Sequence, residues 1–193
     1  LVLMPTGGGK SLCFQLPAVM RDGMTVVISP LIALMKDQVD ALRVNGVAAG
    51  YINSTLSHEE SVSIARRAQA GGGKILYVAP GRLALPGVER VLHSLEGGLF
   101  AIDEAHCILG WGDGFRPGFR NLKQLRGEFP DVPIIALTAT ATEKVRADII
   151  AQLGLSGART FISSFNRPNL SYEVLPKKDS FKTILGLIQA HKG

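Results

Sequence analysis

Met4-Pro5-Thr6-Gly7-Gly8-Gly9-Lys10-Ser11 decides how this chain is read. An apolar run, Leu1–Met4, precedes it, and a helix-period segment from about Lys10 to Val19 follows. Glycines at 7, 8 and 9 let a backbone wrap closely around phosphate oxygens with its N–H groups turned inward. The helix behind them presents its N-terminal dipole to the same anion. Thr6, Gly7, Gly8, Gly9, Lys10 and Ser11 therefore form a candidate ATP-binding loop, with Lys10 reaching the β- and γ-phosphates and the Ser11 hydroxyl ligating Mg²⁺. The full phosphate-loop pattern has Gly where Met4 stands, so the match is to its second half. Gly71-Gly72-Gly73-Lys74 nearly repeats the string and serves as an internal control. Ile75 follows it and a strand begins, so neither a hydroxyl nor a helix N-terminus is in place, and it reads as a plain turn.

Outward from the loop, short apolar runs alternate with helical patterns. Thr25–Ile28, Ile75–Ala79, Leu99–Ile102 and Ile134–Leu137 read as buried strands, and Val47–Ile52 as a further one. Ser29-Pro30 reads as an N-cap and a first-turn proline, followed by Ile32, Met35, Val39 and Leu42 at helical spacing. Ser57-His58-Glu59-Glu60 is a capping box opening a helix to about Ala68, and Thr142 starts another that ends near Gly154. Alternating strands and helices predict an α/β fold with a mostly parallel sheet covered on both faces.

Leu99–Ile102 runs into Asp103-Glu104-Ala105-His106. A buried strand ending in two acids is the second half of a nucleotide site: Asp103 would hold Mg²⁺, usually through water, and Glu104 would orient and deprotonate the attacking water. An isolated Asp here would read as a helix cap; beside the phosphate loop the catalytic reading prevails. His106 is placed to relay the nucleotide state to another segment. Thr138 and Thr140 follow the Ile134–Leu137 strand, where parallel sheets bind ligands, and either Thr140 or Thr142 could instead cap the next helix.

Composition sets the bounds. The 193 residues are 46% hydrophobic and 19% charged, enough to build a core and too apolar for disorder. A net charge of +5 permits an anionic partner without demanding one. Cys13 and Cys107 lack CxxC spacing and the four His show no ligand spacing, so a disulfide framework or zinc site is not expected and a reducing compartment is. No run reaches the roughly 18 apolar residues of a membrane span. The lack of an initiator Met leads to the expectation that the chain begins inside a longer protein.

Taken in order, Met4–Ser11, Ser29–Gln38, Val78–Leu83, Asp103–Phe119, Ala136–Ala141 and Ser164–Leu170 resemble the first motor lobe of a RecQ-type DNA helicase of superfamily 2. The resemblance covers essentially the whole chain. Its most specific parts are the Ser29-Pro30-Leu31-Ile32-Ala33-Leu34-Met35-Lys36-Asp37-Gln38 phrase and the loop around Trp111. It implies a RecA-like lobe over residues 1–163, an inter-lobe bridge at 164–170 and the start of a second lobe at 171–193. It further implies ATP hydrolysis with Mg²⁺ coupled to 3′→5′ movement on single-stranded DNA, duplex junctions as partners, and roles in DNA repair and recombination. Lys10 and Glu104 are the implied catalytic residues, and His106, Thr138 and Thr140 the coupling residues. Ser29, Pro30, Leu31, Lys36, Arg82, Trp111, Phe115 and Arg116 are the implied DNA contacts. The implied location is intracellular, cytoplasmic in a bacterium and nuclear in a eukaryote.

The chain departs from the family pattern in two places. The Trp111–Phe119 loop lacks the usual His, the Asp before Phe and the Glu, and carries Asp113 and Gly114 instead, which predicts weak coupling of DNA to ATP. Gly81 replaces a usual Glu. The second lobe with its arginine finger and the family's zinc module lie outside these residues, so the isolated chain is expected to be inactive. The remaining readings are an RNA helicase lobe of the same superfamily and a non-catalytic nucleotide-binding remnant. A stand-alone P-loop kinase or ATPase is disfavoured, because no Arg-rich lid is visible.

Overall fold

The computed structural model describes residues 1–94, 98–108, 120–166, 169–174 and 176–190. Seven strands, β1 (Val2–Leu3), β2 (Thr25–Ile28), β3 (Ala49–Ile52), β4 (Ile75–Val78), β5 (Leu99–Ile102), β6 (Ile134–Thr138) and β7 (Phe161–Ile162), form one sheet in the order β3-β4-β2-β5-β6-β1-β7. Every pairing is parallel. The helices are α1 (Leu12–Met20), α2 (Ile32–Val44), α3 (His58–Gln69), α4 (Pro86–His93), α5 (Arg120–Glu128), α6 (Glu143–Gln152) and α7 (Ser180–Ala190).

Alternation along the central strands divides the core in two. Val26, Ile28, Leu76, Val78, Phe100 and Ile102 face one side, where Ala65 of α3, Val88 and Val91 of α4, Leu122 and Leu125 of α5 and Ile149 of α6 cover them. Val27, Ile75, Tyr77, Leu99 and Ala101 face the other, under Phe14 and Ala18 of α1 and Met35, Val39 and Leu42 of α2. Strands buried on both faces explain the unbroken β-branched and aliphatic runs in the sequence.

The expected strands and capping box are present: Glu60 N–H donates to Ser57 Oγ at 3.2 Å, and Ser57 N–H donates to Glu60 Oε2 at 2.8 Å. Two expectations are corrected. Helix α1 begins at Leu12 rather than Lys10, because Leu12 N–H bonds back to Gly9 and Cys13 N–H to Lys10, closing the loop first. Ser29-Pro30 does not start α2, whose cap position is the extended Leu31 with no side-chain cap. Ser29 N–H still donates to Val78 in the sheet ladder, so the chain has not yet left the strand. Helices α4 and α5 and strand β7 are additions to the sequence reading.

A half-buried polar cluster around the buried Tyr77 ties α1 and α2 to β4. Gln15 Nε2 donates to Gln38 Oε1 and to Tyr77 Oη, both at 3.0 Å, and the Tyr77 hydroxyl donates to Gln38 Oε1 at 2.5 Å. Burial pushes the Tyr77 phenol up to about 12, with a smaller opposing effect from Gln15. The folded-state value lies above the unfolded one near 10, so the neutral phenol's contribution is complete below pH 10 and is lost as pH rises through 12. Tyr77→Phe is expected to cost about 1–3 kcal/mol at pH 7 in urea unfolding, leaving Gln15 and Gln38 short of a partner. The gap to wild type should close between pH 10 and 12; a gap constant across that window would contradict the assignment.

Candidate nucleotide site at the carboxyl edge of the sheet

Parallel pairing sends the carboxyl end of every strand to one edge. The loop after β1 carries Thr6–Ser11, the residues after β5 are Asp103–His106, and β6 ends at Thr138. Thr6, Gly7 and Gly8 are exposed, and Gly9, Lys10 and Ser11 half-buried. Gly7 and Gly9 have φ of 78° and 85°, a backbone that side chains rarely adopt. A Cβ on Gly8 would lie 2.9 Å from the Pro5 carbonyl oxygen, so this tight loop requires glycine there as well. Lys10 Nζ rests 3.4 Å from the Met4 carbonyl oxygen. Ser11 occupies the cap position of α1 without using its hydroxyl as a cap. The control string behaves differently. Lys74 Nζ donates to the Arg21 carbonyl at 3.0 Å, and the turn enters β4 at the opposite edge of the sheet.

Asp103 is buried, and its Oδ1 accepts the Glu104 N–H at 3.0 Å. Burial, then the neighbouring Glu104 charge, raises the Asp103 carboxyl above its ordinary value, while the Glu104 N–H, the Lys10 charge and the Ser29 hydroxyl oppose that rise. Lys10 and Asp103 thus feel one another across the loop. Glu104 has φ of 47°, the one non-glycine residue with positive φ among those described. A left-handed residue of this kind costs on the order of 1–3 kcal/mol, and such residues cluster at active sites and ligand clamps.

His106 Nδ1 lies 2.7 Å from Thr138 Oγ1 and 3.3 Å from Glu104 Oε2. A carboxylate offers only lone pairs, so bonding to Glu104 requires the tautomer with its proton on Nδ1. Thr138 is fully buried; its hydroxyl donates to the Thr140 carbonyl at 3.3 Å and accepts the Thr140 N–H at 3.2 Å. Thr142, not Thr140, caps α6, accepting the Val145 N–H at 3.4 Å. Cys107 Sγ stands 3.5 Å from His106 Nε2, and burial followed by the Glu104 and Asp103 charges pushes its thiol up, keeping it protonated. A chain of contacts therefore runs from Glu104 through His106 and Thr138 to Thr140.

The residues assigned to DNA by resemblance divide. Leu31 and Lys36 are exposed, Lys36 pairing with Asp40 at 2.7 Å, and Pro30 and Arg82 are half-buried near the same edge. Ser29 is buried, 1% exposed. Trp111, Phe115 and Arg116 lie outside the described residues. No group of three or more His, Cys, Asp or Glu that could hold a metal occurs among the described residues. The buried Asp103 carboxylate, with Oδ1 taken by the Glu104 N–H, and the uncapped Ser11 hydroxyl are hard oxygen donors of the kind Mg²⁺ takes, one or two to a site with water and phosphate completing its shell.

The chain belongs to the DEAD/DEAH box helicase family, which it matches over residues 1–149. Its similarity runs to the RecQ branch. It is 49% identical over 182 residues to the ATP-dependent DNA helicase RecQ of Bacillus subtilis, covering 93% of this chain and 31% of that protein. It is 43% identical over 193 residues to the RecQ of Haemophilus influenzae, covering 100% of this chain and 31% of that protein. The RecQ-like DNA helicase BLM of Xenopus laevis is 44% identical over 186 residues, covering 92% of this chain and 14% of that protein. The chain thus spans less than a third of these relatives. Among solved structures, the fold resembles the Hef helicase domain of Pyrococcus furiosus, with TM-score 0.61, 23% identity and coverage of 87% of this chain and 36% of that one. It also resembles a hypothetical ATP-dependent RNA helicase from Sulfolobus tokodaii, with TM-score 0.64, 19% identity and coverage of 84% and 47%. The fold is that of a RecA-like lobe.

Thr138→Val removes the hydroxyl that His106 and Thr140 share. It should cost about 1–3 kcal/mol in urea unfolding, because the Thr140 N–H and His106 Nδ1–H lose an acceptor. Unchanged stability would show that the contact carries no weight.

Proposed function

We propose that this chain is the ATP-binding lobe of a RecQ-type 3′→5′ DNA helicase, working on single-stranded DNA and duplex junctions with a second lobe elsewhere in the protein. The observation that carries the reading is the convergence of Lys10, Asp103, Glu104 and His106 at one sheet edge, with Asp103 sensing the Lys10 charge and His106 bonded to Thr138. Lys10 and the N–H groups of Gly7–Ser11 bind the phosphates. Ser11 and Asp103 would hold Mg²⁺, which would supply charge neutralisation on the transferred phosphoryl group. Glu104 orients the attacking water and takes its proton. His106 links Glu104 to Thr138, so a change at the phosphates can move the Thr138–Thr140 segment.

The exposed edge residues Leu31 and Lys36, with Pro30 and Arg82, supply the DNA side together with the Trp111 loop. No described helix is long and apolar enough to cross a membrane. The 1–163 lobe, 164–170 bridge and 171–193 start of a second unit remain our division of the chain. In its support, α7 has no buried residue, and Phe181, Ile184, Leu185 and Ile188 all face outward. An arginine supplied across the cleft is worth about 10³–10⁵ in rate, so residues 1–193 alone should show negligible ATPase.

Two substitutions separate binding from chemistry. Lys10→Ala should weaken nucleotide binding. In the two-lobe protein, Glu104→Gln should abolish turnover while nucleotide still binds. Equal loss of affinity in both would contradict the roles. Stimulation of the two-lobe ATPase by single-stranded DNA over RNA of the same sequence is expected; the reverse would place the protein among RNA helicases, and no turnover at all would mark a binding remnant.

A further inference from the structure

Ser29 stands apart from the other residues of its phrase. Its Oγ is buried and has no hydrogen-bond partner among the described residues. Burying a hydroxyl without a partner costs free energy, so such an atom in a well-packed sheet calls for a physical reason. The register supplies its location. Ile28 of β2 pairs with Ile102 of β5, and Asp103 N–H donates to the Ile28 carbonyl at 2.9 Å, so Ser29 and Asp103 are neighbours one step beyond the strands. Asp103 Oδ1 is occupied by the Glu104 N–H. The Ser29 hydroxyl acts on the Asp103 carboxylate as a weak hydrogen-bonding neighbour that favours its charged form, short of full hydrogen-bond geometry, and the Lys10 charge reaches the same group. At 1% exposure the side chain has no path to a DNA backbone at the surface.

We propose that Ser29 is a positioning residue of the nucleotide site: its hydroxyl is satisfied in the loaded state, donating to Asp103 or to a water that Asp103 shares with Mg²⁺. The proposal rests on the reading of Asp103 as the Mg²⁺-holding acid. It moves Ser29 from the DNA side to the ATP side and leaves the DNA contacts of this phrase to its exposed members. It also gives the phrase a double attachment, with Ser29 beside Asp103 and Leu31 and Lys36 at the surface. One short segment then touches both ligands.

The test uses Ser29→Ala and Asp103→Asn in the purified chain, with ADP as probe, measured by calorimetry with Mg²⁺ and with EDTA, beside thermal unfolding without ligand. Ser29→Ala should unfold at or above the wild-type temperature without ligand, because it removes an orphaned hydroxyl. It should bind ADP in EDTA as wild type does, and lose at least fivefold of the affinity that Mg²⁺ adds. Asp103→Asn should lose that Mg²⁺-dependent gain as well. If Asp103→Asn loses it and Ser29→Ala does not, the inference about Ser29 is overturned and the site reading stands. If neither loses it, the assignment of Mg²⁺ to Asp103 is wrong and both fall. A Ser29→Ala chain that is less stable without ligand, or does not fold, makes the hydroxyl structural and overturns the proposal. So does a loss confined to single-stranded DNA affinity.

Discussion

Parallel pairing of β1, β6, β5 and β2 is the constraint from which the rest of the site follows. It delivers four carboxyl ends to one edge within the width of a few strands. The Thr6–Ser11 loop, the acidic pair, the threonine segment and Ser29 therefore share one edge of the sheet, though they are spread from residue 6 to residue 140. A strand reversed anywhere in that run would carry its group to the far edge, where the Gly71–Lys74 turn shows what a glycine-rich string becomes without the site around it. That turn has the same residue types as the phosphate loop, yet its lysine is spent on the Arg21 carbonyl.

Strain and burial concentrate at the candidate site. Glu104 keeps a left-handed backbone, Asp103 is a buried acid raised by desolvation, and Ser29 is a buried hydroxyl without a partner. Each is unfavourable taken alone. They sit within a few residues of one another, at the ends of β2 and β5, where a bound phosphate and cation would offset the cost. The scaffold beneath is conventional: two apolar layers, with the Gln15–Gln38–Tyr77 cluster holding α1 and α2 to β4. That cluster gives Gln38 a packing role between α1, which follows the Thr6–Ser11 loop, and α2.

Much of this was legible in the residues because it is local. Glycine spacing, a hydroxyl beside a lysine, a strand ending in two acids and a capping box all act within a turn or two. What escaped depends on neighbours distant in sequence. Ser29-Pro30 has the form of a helix start, and only the ladder bond to Val78 shows that the chain is still strand there. Strand β7 is exposed and two residues long, and is recognised only through its pairing with β1. The choice between Thr140 and Thr142 as the cap of α6 was open in sequence, since either hydroxyl suits the position; burial of Thr138 and its bonds to both Thr140 backbone groups decide it.

The account's central claim is that nucleotide is held at the carboxyl edge by the first glycine string and the acidic pair together. Amide hydrogen exchange with and without a nonhydrolysable ATP analogue and Mg²⁺ tests this directly, because both glycine strings are read in one experiment. Slowed exchange at residues 7–12 and 103–106, with residues 71–74 unchanged, is the predicted result. Slowing at residues 71–74, or slowing at residues 7–12 with none at residues 103–106, would contradict it.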